Sequence, residues 1–121
     1  MLSQIAVIAA LQQGGNWLAE FVRHLRGQRD YVLERLAQWP GVTVNPPQGT
    51  YVIFPDIRSL SDDSEKFCDH LREHARVALV PGAARWFGPG ATGHVRICFA
   101  TSRRILQEAF DRMELVVKKI G

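Results

Sequence analysis

The chain has 121 residues, which is enough for one domain with an ordinary hydrophobic core and too few for a second full domain. Its composition, with 46% hydrophobic and 22% charged residues, is that of a globular protein, and no apolar run approaches the ~20 residues that span a membrane. The net charge of +3 is small and its basic residues are interleaved with acidic ones, so we expect no nucleic-acid partner.

Two further features predict a cytoplasmic protein with no membrane partner. Residues 1–11 are apolar but lack the basic start of a secretory signal. The two cysteines, Cys68 and Cys98, lack CxxC spacing, which is typical of reduced thiols rather than of a disulfide scaffold.

The N-terminal third predicts two helices. Residues 3–12 are rich in alanine and favour a short helix, which Gly14 and Gly15 interrupt. Asn16 is a plausible N-cap for a second, long helix that stops before Pro40. The apolar stripe of this helix comprises Leu18, Phe21, Val22, Leu25, Val32, Leu36 and Trp39.

The middle of the chain predicts a hairpin followed by a helix. Residues 42–44 and 50–54 are rich in β-branched side chains, and a proline-containing turn at 45–49 separates them. The acidic cluster Asp62, Asp63 and Glu65 suits a helix N-terminus. The buried stripe of that helix is Phe67, Cys68, Leu71 and Ala75, and residues 77–80 form the next predicted strand.

The last third predicts a loop, a strand and a helix. Residues 81–93 hold two prolines and four glycines, which indicates a loop. Along the strand that follows, Val95, Ile97 and Phe99 alternate with His94, Arg96 and Cys98. Thr101 or Ser102 can cap the last helix, whose stripe is Ile105, Leu106, Ala109, Phe110, Met113, Val116, Val117 and Ile120.

These elements predict an α+β fold in which helices pack on a small, mainly antiparallel sheet, preceded by a long N-terminal helix. We expect residues 1–40 to form the N-terminal helices and residues 41–121 to form the small α/β domain.

Three groups of residues resemble functional motifs but have simpler structural interpretations. Residues 88–93 match GxGxxG, but a strand rather than a helix follows, so we expect a surface loop and not a dinucleotide site. His70 and His74 are four residues apart but have no third ligand nearby in sequence, so we expect no metal. Cys98 with His94 is a weak candidate for a thiol nucleophile.

Arg96 is the strongest single candidate for binding. It lies in the middle of a predicted strand, just after a glycine-rich loop that could open a cavity beside it. A guanidinium in such a place could hold a carboxylate with two parallel hydrogen bonds. An outward arginine paired with an acid or with water is the competing interpretation, and the residues alone leave the choice open.

Four segments, taken in order, resemble the signatures of class I/II aminotransferases of fold type I. They are residues 47–57 (PQGTYVIFPDI), 80–82 (VPG), 87–88 (FG) and 93–100 (GHVRICFA). Residues 4–39 are similar to the alanine-rich helix and long interdomain helix that precede the small domain in that family. The spacing between the Pro-Gly and Phe-Gly pairs is about two residues longer than the family pattern. The local shape of the pocket, and with it the specificity for the side chain of the substrate, is therefore left open.

The resemblance implies the C-terminal small domain of an enzyme that moves an amino group between an amino acid and a 2-oxo acid through pyridoxal phosphate. It implies that Arg96 binds the substrate α-carboxylate and that Tyr51 lies near the substrate entrance. The Schiff-base lysine, the other catalytic groups and the cofactor site belong to a large domain, and Lys66, Lys118 and Lys119 match none of them. The chain alone is therefore expected to be inactive, and the parent enzyme is expected to be a homodimer. An isolated small domain exposes surface that the large domain would cover, so we also expect the chain to self-associate.

Three alternatives remain. An interaction domain could use the exposed face of its N-terminal helices for assembly. A free-standing module with this fold could bind a small carboxylate without turnover. A lyase or synthase that uses pyridoxal phosphate could share the fold, because the groups that choose the reaction lie outside this part of the enzyme.

Overall fold

Helices and a small sheet alternate along residues 1–120, the part of the chain that the computed structural model describes. Gly121, the last residue of the predicted small domain, lies outside it. The helices are α1 (Leu2–Gln13), α2 (Gly15–Leu36), α3 (Ser64–His74), α4 (Ala84–Phe87) and α5 (Arg103–Val117), and the strands are β1 (Val52–Ile53), β2 (Val80–Pro81) and β3 (Val95–Cys98). A single 3₁₀ turn covers Pro89–Ala91. The predicted α+β class is confirmed.

The three strands form one antiparallel sheet in the order β1-β3-β2, with β3 in the centre. Val52 of β1 lies opposite Cys98, and Ile53 lies opposite Ile97. On the other side, Val80 of β2 lies opposite Arg96. Because β3 pairs on both edges, its side chains have a fixed register with those of both neighbours.

The sheet has one face in the core and one face outside it. Val95, Ile97 and Phe99 are buried, as the alternation predicts. They belong to the same core as residues of α2, α3 and α5, among them Leu36, Trp39, Phe67, Leu71, Phe110 and Met113. The opposite side, here called the open face, carries Val52, Phe54, Val80, Arg96 and Cys98. Antiparallel sheets commonly pack one face on the core and leave the other face uncovered, and this sheet does the same.

The start of the long helix differs from the prediction. Helix α2 begins at Gly15 with Gly14 as its N-cap, so Asn16 lies in the first turn and is not the cap. Gly14 donates its N–H to Ala10 O at 2.8 Å, and its own carbonyl accepts from the Leu18 N–H at 2.9 Å. The backbone of α1 therefore leads almost directly into α2, and no side-chain cap is needed. At the other end α2 stops at Leu36, and Trp39 lies in a turn although it is buried.

The predicted hairpin is mostly absent. Residues 42–44 form no strand in the described chain; a single antiparallel bridge joins Thr43 to Asp56. Strand β1 covers only Val52–Ile53, because the backbone at Thr50 has a positive φ of 64° and cannot continue a strand. Similarly, only Val80 of the predicted strand 77–80 is paired, and this segment follows Arg76 at a φ of 56°.

The other helices agree more closely with the prediction. The Asp63 side chain caps α3 by accepting hydrogen bonds from the backbone N–H groups of Glu65 and Lys66. Ser102 caps α5 by accepting from the Ile105 N–H. Ile105 itself was placed in the apolar stripe wrongly, and so was Ile120; they are 52% and 38% exposed. The buried stripe repeats at Leu106, Phe110, Met113 and Val117, and Ile105 lies on its flank.

The N-terminal segment exposes much apolar surface. All residues of α1 are exposed, and the large apolar side chains that face solvent here are Met1, Leu2, Ile5, Val7, Ile8, Leu11, Trp17 and Leu18. Contiguous apolar surface of this kind marks a contact site. This surface is consistent with self-association of the isolated chain, which stays a prediction.

Among the described residues, no helix is both long enough and apolar enough to cross a membrane.

An ion-pair cluster joins α2 to α5. Arg35 donates to Glu114 at 2.7 Å and to Asp111 at 2.8 Å, and its guanidinium also donates to the Tyr31 hydroxyl. The side chains of Arg35 and Glu114 are only 14% and 16% exposed. The hydrogen bond to Glu114 is the main cause that raises the pKa of Arg35, so this guanidinium stays charged.

We predict that Arg35→Met lowers the free energy of unfolding by about 2–3 kcal/mol, because Glu114 is left half-buried without its partner. Urea denaturation of the chain measures the change. Arg23→Met is the matched control on the same helix, because its pair with Glu20 is exposed on both sides and contributes ~1 kcal/mol or less. Equal losses for the two variants would contradict this account of Arg35.

Candidate functional site

Arg96 is the only charged side chain within the three described strands. It lies in the middle of β3 and faces Val80 across the sheet. The register of the Ile53–Ile97 pair extends to the Asp56–His94 bridge, so Phe54 lies beside Arg96 on the other side. Arg96 is half-buried although it points away from the core. The register thus surrounds one guanidinium with apolar neighbours.

Two aromatic rings complete the surroundings of Arg96. Its guanidinium carbon lies 5.8 Å from the centre of the Phe87 ring, within the range of a cation–π contact. Phe87 in turn packs edge-to-face on Phe54, with ring centres 5.3 Å apart and planes at 80°. These contacts orient the guanidinium and leave its N–H donors available.

No acidic side chain among residues 1–120 forms an ion pair with Arg96. Asp56, which follows β1, is held instead by Arg58, whose Nε donates to both of its carboxylate oxygens at 2.9 and 3.0 Å. The bond to Arg58 lowers the pKa of Asp56 to about 2. An unpaired guanidinium with five donors is suited to bind a carboxylate from outside the chain.

Tyr51 does not share this site. It is 53% exposed and lines a separate cavity of about 330 Å³ between α2 and the turn before β1. Arg26, Arg29 and Phe99 line the same cavity. The structure therefore brings Arg96 together with Phe54 and Phe87, and leaves Tyr51 outside that group.

The glycine-rich segment has a packing role. Gly88 has a φ of 83° and ends α4, and the 3₁₀ turn then leads into β3 rather than into a helix. A Cβ on Gly82 would lie 2.0 Å from Ala91 O, and one on Gly93 would lie 2.4 Å from Cγ of Arg58. The helix N-terminus that a dinucleotide site requires does not follow residues 88–93. The segment predicted as loop 81–93 in fact contains α4 and this turn.

The histidine and cysteine pairs gain little support. The rings of His70 and His74 are 4.2 Å apart, but residues 1–120 contain no group of three side chains that could hold a metal. The absence of a bound metal stays a prediction. Cys98 is exposed on the open face, and His94 Nδ1 contacts Thr92 O at 3.2 Å. The described contacts include none between Cys98 and His94.

Sequence comparison gives the family. The profile described as aminotransferase class I and II matches residues 2–113. The chain belongs to this family. An aspartate aminotransferase of Pyrococcus horikoshii is 42% identical over 113 residues, which are 92% of this chain and 28% of that protein. An aromatic-amino-acid aminotransferase of Thermococcus litoralis is 37% identical over 118 residues, or 96% of this chain and 30% of that protein.

Solved structures of aminotransferases share the fold of this chain. An alanine aminotransferase from Pyrococcus furiosus matches with a TM-score of 0.88 and 35% identity, covering 96% of this chain and 29% of that one. A carbon-sulfur lyase from Staphylococcus hominis has a TM-score of 0.78 at 23% identity, covering 90% of this chain and 29% of that one, and shows a common fold only. The chain thus spans about 30% of the length of the proteins that it matches.

Proteins of this family depend on pyridoxal phosphate, and a structure from Clostridium difficile that is 30% identical to this chain contains it. The lysines of this chain do not fit the cofactor. Lys66 is 84% exposed and lies 3.5 Å from Asp63, and Lys118 and Lys119 are exposed beyond the end of α5. None of the three is among the side chains around Arg96. The described residues therefore supply no Schiff-base lysine at the candidate site.

Phe54 and Phe87 were not predicted from the sequence as neighbours of Arg96. Alternation alone places Arg96 outside the core, but the identity of its neighbours depends on the strand register and on the path of residues 81–93. The ion pair between Glu65 and Arg85, which are 20 residues apart, was not predicted either. No local pattern connects residues at that separation on different elements.

We predict that the two cysteines differ sharply in reactivity. Cys68 is buried in the core, and burial raises the pKa of its thiol to about 12, whereas Cys98 is exposed. A disulfide reagent at pH 8 should therefore label one thiol in the folded chain and two in denaturant. The Cys98→Ser variant should show no fast labelling when folded. Fast labelling that persists in this variant would refute the placement of Cys68.

Proposed function

We propose that this chain is the C-terminal small domain of an aminotransferase that depends on pyridoxal phosphate, and that Arg96 binds the α-carboxylate of its amino-acid and 2-oxo-acid substrates. One observation carries the proposal. In a chain of the aminotransferase family, a half-buried arginine on the open face has aromatic neighbours and no acidic partner among the described residues. A carboxylate is the complementary ligand for a guanidinium in that setting.

The rest of the parent enzyme would supply what this chain lacks. We propose that residues 1–40 form the helices next to a large domain, and that residues 41–121 form the small domain. The exposed apolar residues of α1 and early α2 supply a surface that the large domain can cover. The large domain would hold the cofactor and the catalytic lysine, so this chain alone has no catalytic residue and is inactive.

The cellular setting follows from the same proposal. Both cysteines are free, which suits the reducing cytoplasm. We propose a cytoplasmic homodimer, with small amino and oxo acids as the other partners. Tyr51, exposed on the turn before β1, would lie towards the substrate entrance and contribute less to binding than Arg96.

The position of the chain in its parent has a direct test. We predict that the source gene, read in frame upstream of Met1, encodes the large domain with its lysine. The physical reason is that a domain without a lysine near Arg96 needs that group from the rest of the enzyme. Aligning the chain along complete relatives should place it in their last third. A large domain encoded downstream of Gly121, or an alignment to the first third, would overturn the C-terminal assignment.

Replacing Arg96 tests the carboxylate site in the full-length enzyme. We expect Arg96→Ala to lower kcat/KM for amino acids by about 30- to 5,000-fold, because about 2–5 kcal/mol of binding to a desolvated charge is lost. Arg96→Lys should recover only part of this, since an ammonium cannot form two parallel bonds. Steady-state kinetics with both substrates measures the effect.

Arg112→Ala is the control for that experiment. Arg112 pairs with Glu108 on the exposed side of α5 and contacts no residue of the candidate site. Its loss should leave kcat/KM within about twofold of the wild type. Unchanged kinetics for Arg96→Ala would remove Arg96 from substrate binding.

A second candidate function is that of a lyase or synthase, because the Staphylococcus hominis carbon-sulfur lyase shares this fold. Product analysis of the full-length enzyme separates the two. Amino transfer consumes a 2-oxo acid and forms a new amino acid, whereas β-elimination releases ammonia without an acceptor. A carboxylate-binding module without turnover would form neither product, although calorimetry would still detect its binding of amino acids.

A further inference from the structure

Helix α4 is a single turn of four residues, Ala84–Phe87, inside the glycine-rich segment. One turn fixes several dihedral angles for very few hydrogen bonds, so it is not stable by itself. Its backbone hydrogen bonds run from the Trp86 and Phe87 N–H groups to Ala83 O, at 2.9 and 3.1 Å, and from the Gly88 N–H to Ala84 O at 2.9 Å. Contacts with the rest of the fold must therefore hold α4 in place.

One of those contacts is an ion pair with α3. Arg85 Nη1 donates to Glu65 Oε2 at 2.8 Å, and Nη2 donates to Oε1, so the pair is bidentate. We call this pair the tether. It joins the first turn of α3 to α4 across a cavity of about 370 Å³ that β2 also lines. The side chains are 57% and 46% exposed, so salt can screen the tether.

Two residues after Arg85, the chain reaches the candidate site. Phe87 packs on Phe54 and lies over the guanidinium of Arg96. Because Arg85 and Phe87 lie in the same turn, an ion pair that holds Arg85 in place also restricts the position of Phe87. The other aromatic residue of the turn, Trp86, is 57% exposed and stacks against Arg85, 4.6 Å from its guanidinium carbon. Trp86 therefore extends the same assembly at the surface.

We propose that Glu65 and Arg85 are positioning residues for substrate binding, because the tether holds Phe87 against Arg96. This inference rests on the proposed function of Arg96. Neither Glu65 nor Arg85 touches the guanidinium of Arg96, and the effect passes through Phe87. Loss of the tether lets α4 fray and frees Arg96 to adopt other rotamers, which weakens carboxylate binding without changing the reacting groups.

The test uses the full-length enzyme with Glu65→Gln, Arg85→Gln and the double variant. Each should raise KM for the amino acid and the 2-oxo acid by about two- to fivefold, the range for a solvent-exposed ion pair, with kcat within about twofold. The double variant should be no worse than either single variant, because both remove one interaction. Additive effects, or an unchanged KM in both single variants, would overturn the inference.

A matched control and two further readouts separate positioning from general damage. Asp69→Asn breaks another exposed pair on α3, with Arg72 at 2.9 Å, and should leave KM unchanged. High salt should raise the wild-type KM towards that of Arg85→Gln and so reduce their ratio. In a Phe87→Leu background, Arg85→Gln should have no further effect. A salt-independent ratio, or a full effect without Phe87, would contradict the route through that ring.

The two levels of proposal fail in different ways. If Arg96→Ala lowers kcat/KM strongly but the tether variants behave like the wild type, Arg96 keeps its role and the tether has none. If Arg96→Ala itself has no effect, the proposed function fails, and the inference fails with it.

Discussion

The alternation of side chains along β3 is the constraint on which the rest of the structure depends. Val95, Ile97 and Phe99 enter the core, so Arg96 must lie on the open face. A slip of one residue would bury the guanidinium and expose the three apolar side chains. Pairing with β1 and β2 on both edges prevents that slip. One face of β3 thus packs in the core, and its other face carries the candidate site.

A polar network fixes the end of this strand to the long helix. The buried amide of Gln28 donates to Thr101 O at 2.6 Å and accepts from Arg103 Nε at 2.8 Å. Arg103 also donates to Gly27 O and lies over the Tyr31 ring, with 4.2 Å to its centre. A buried amide with both ends satisfied favours a single arrangement of its neighbours. The second half of α2, β3 and the start of α5 are therefore held in register.

Local sequence predicted elements well where one physical signal dominates. The acidic start of α3, the cap at Ser102 and most of the stripes of α3 and α5 were recognisable because charge, capping and periodicity act within a few residues. The same reasoning failed at Asn16 and at the 42–54 hairpin. There the backbone of α1 and the positive φ at Thr50 outweighed side-chain preference. Residues at the rim of a stripe, such as Ile105, depend on where the neighbouring elements end.

The sequence by itself determined the α+β class, the family and the position of Arg96 outside the core, because alternation, periodicity and ordered motifs are properties of the chain. Tertiary structure alone decided that Phe54 and Phe87 surround Arg96, that Tyr51 lines a different cavity, and that Glu65 holds Arg85. These contacts join residues that are distant in sequence. Strand register and the folded path of residues 81–93 bring them together, and neither can be derived from local preference.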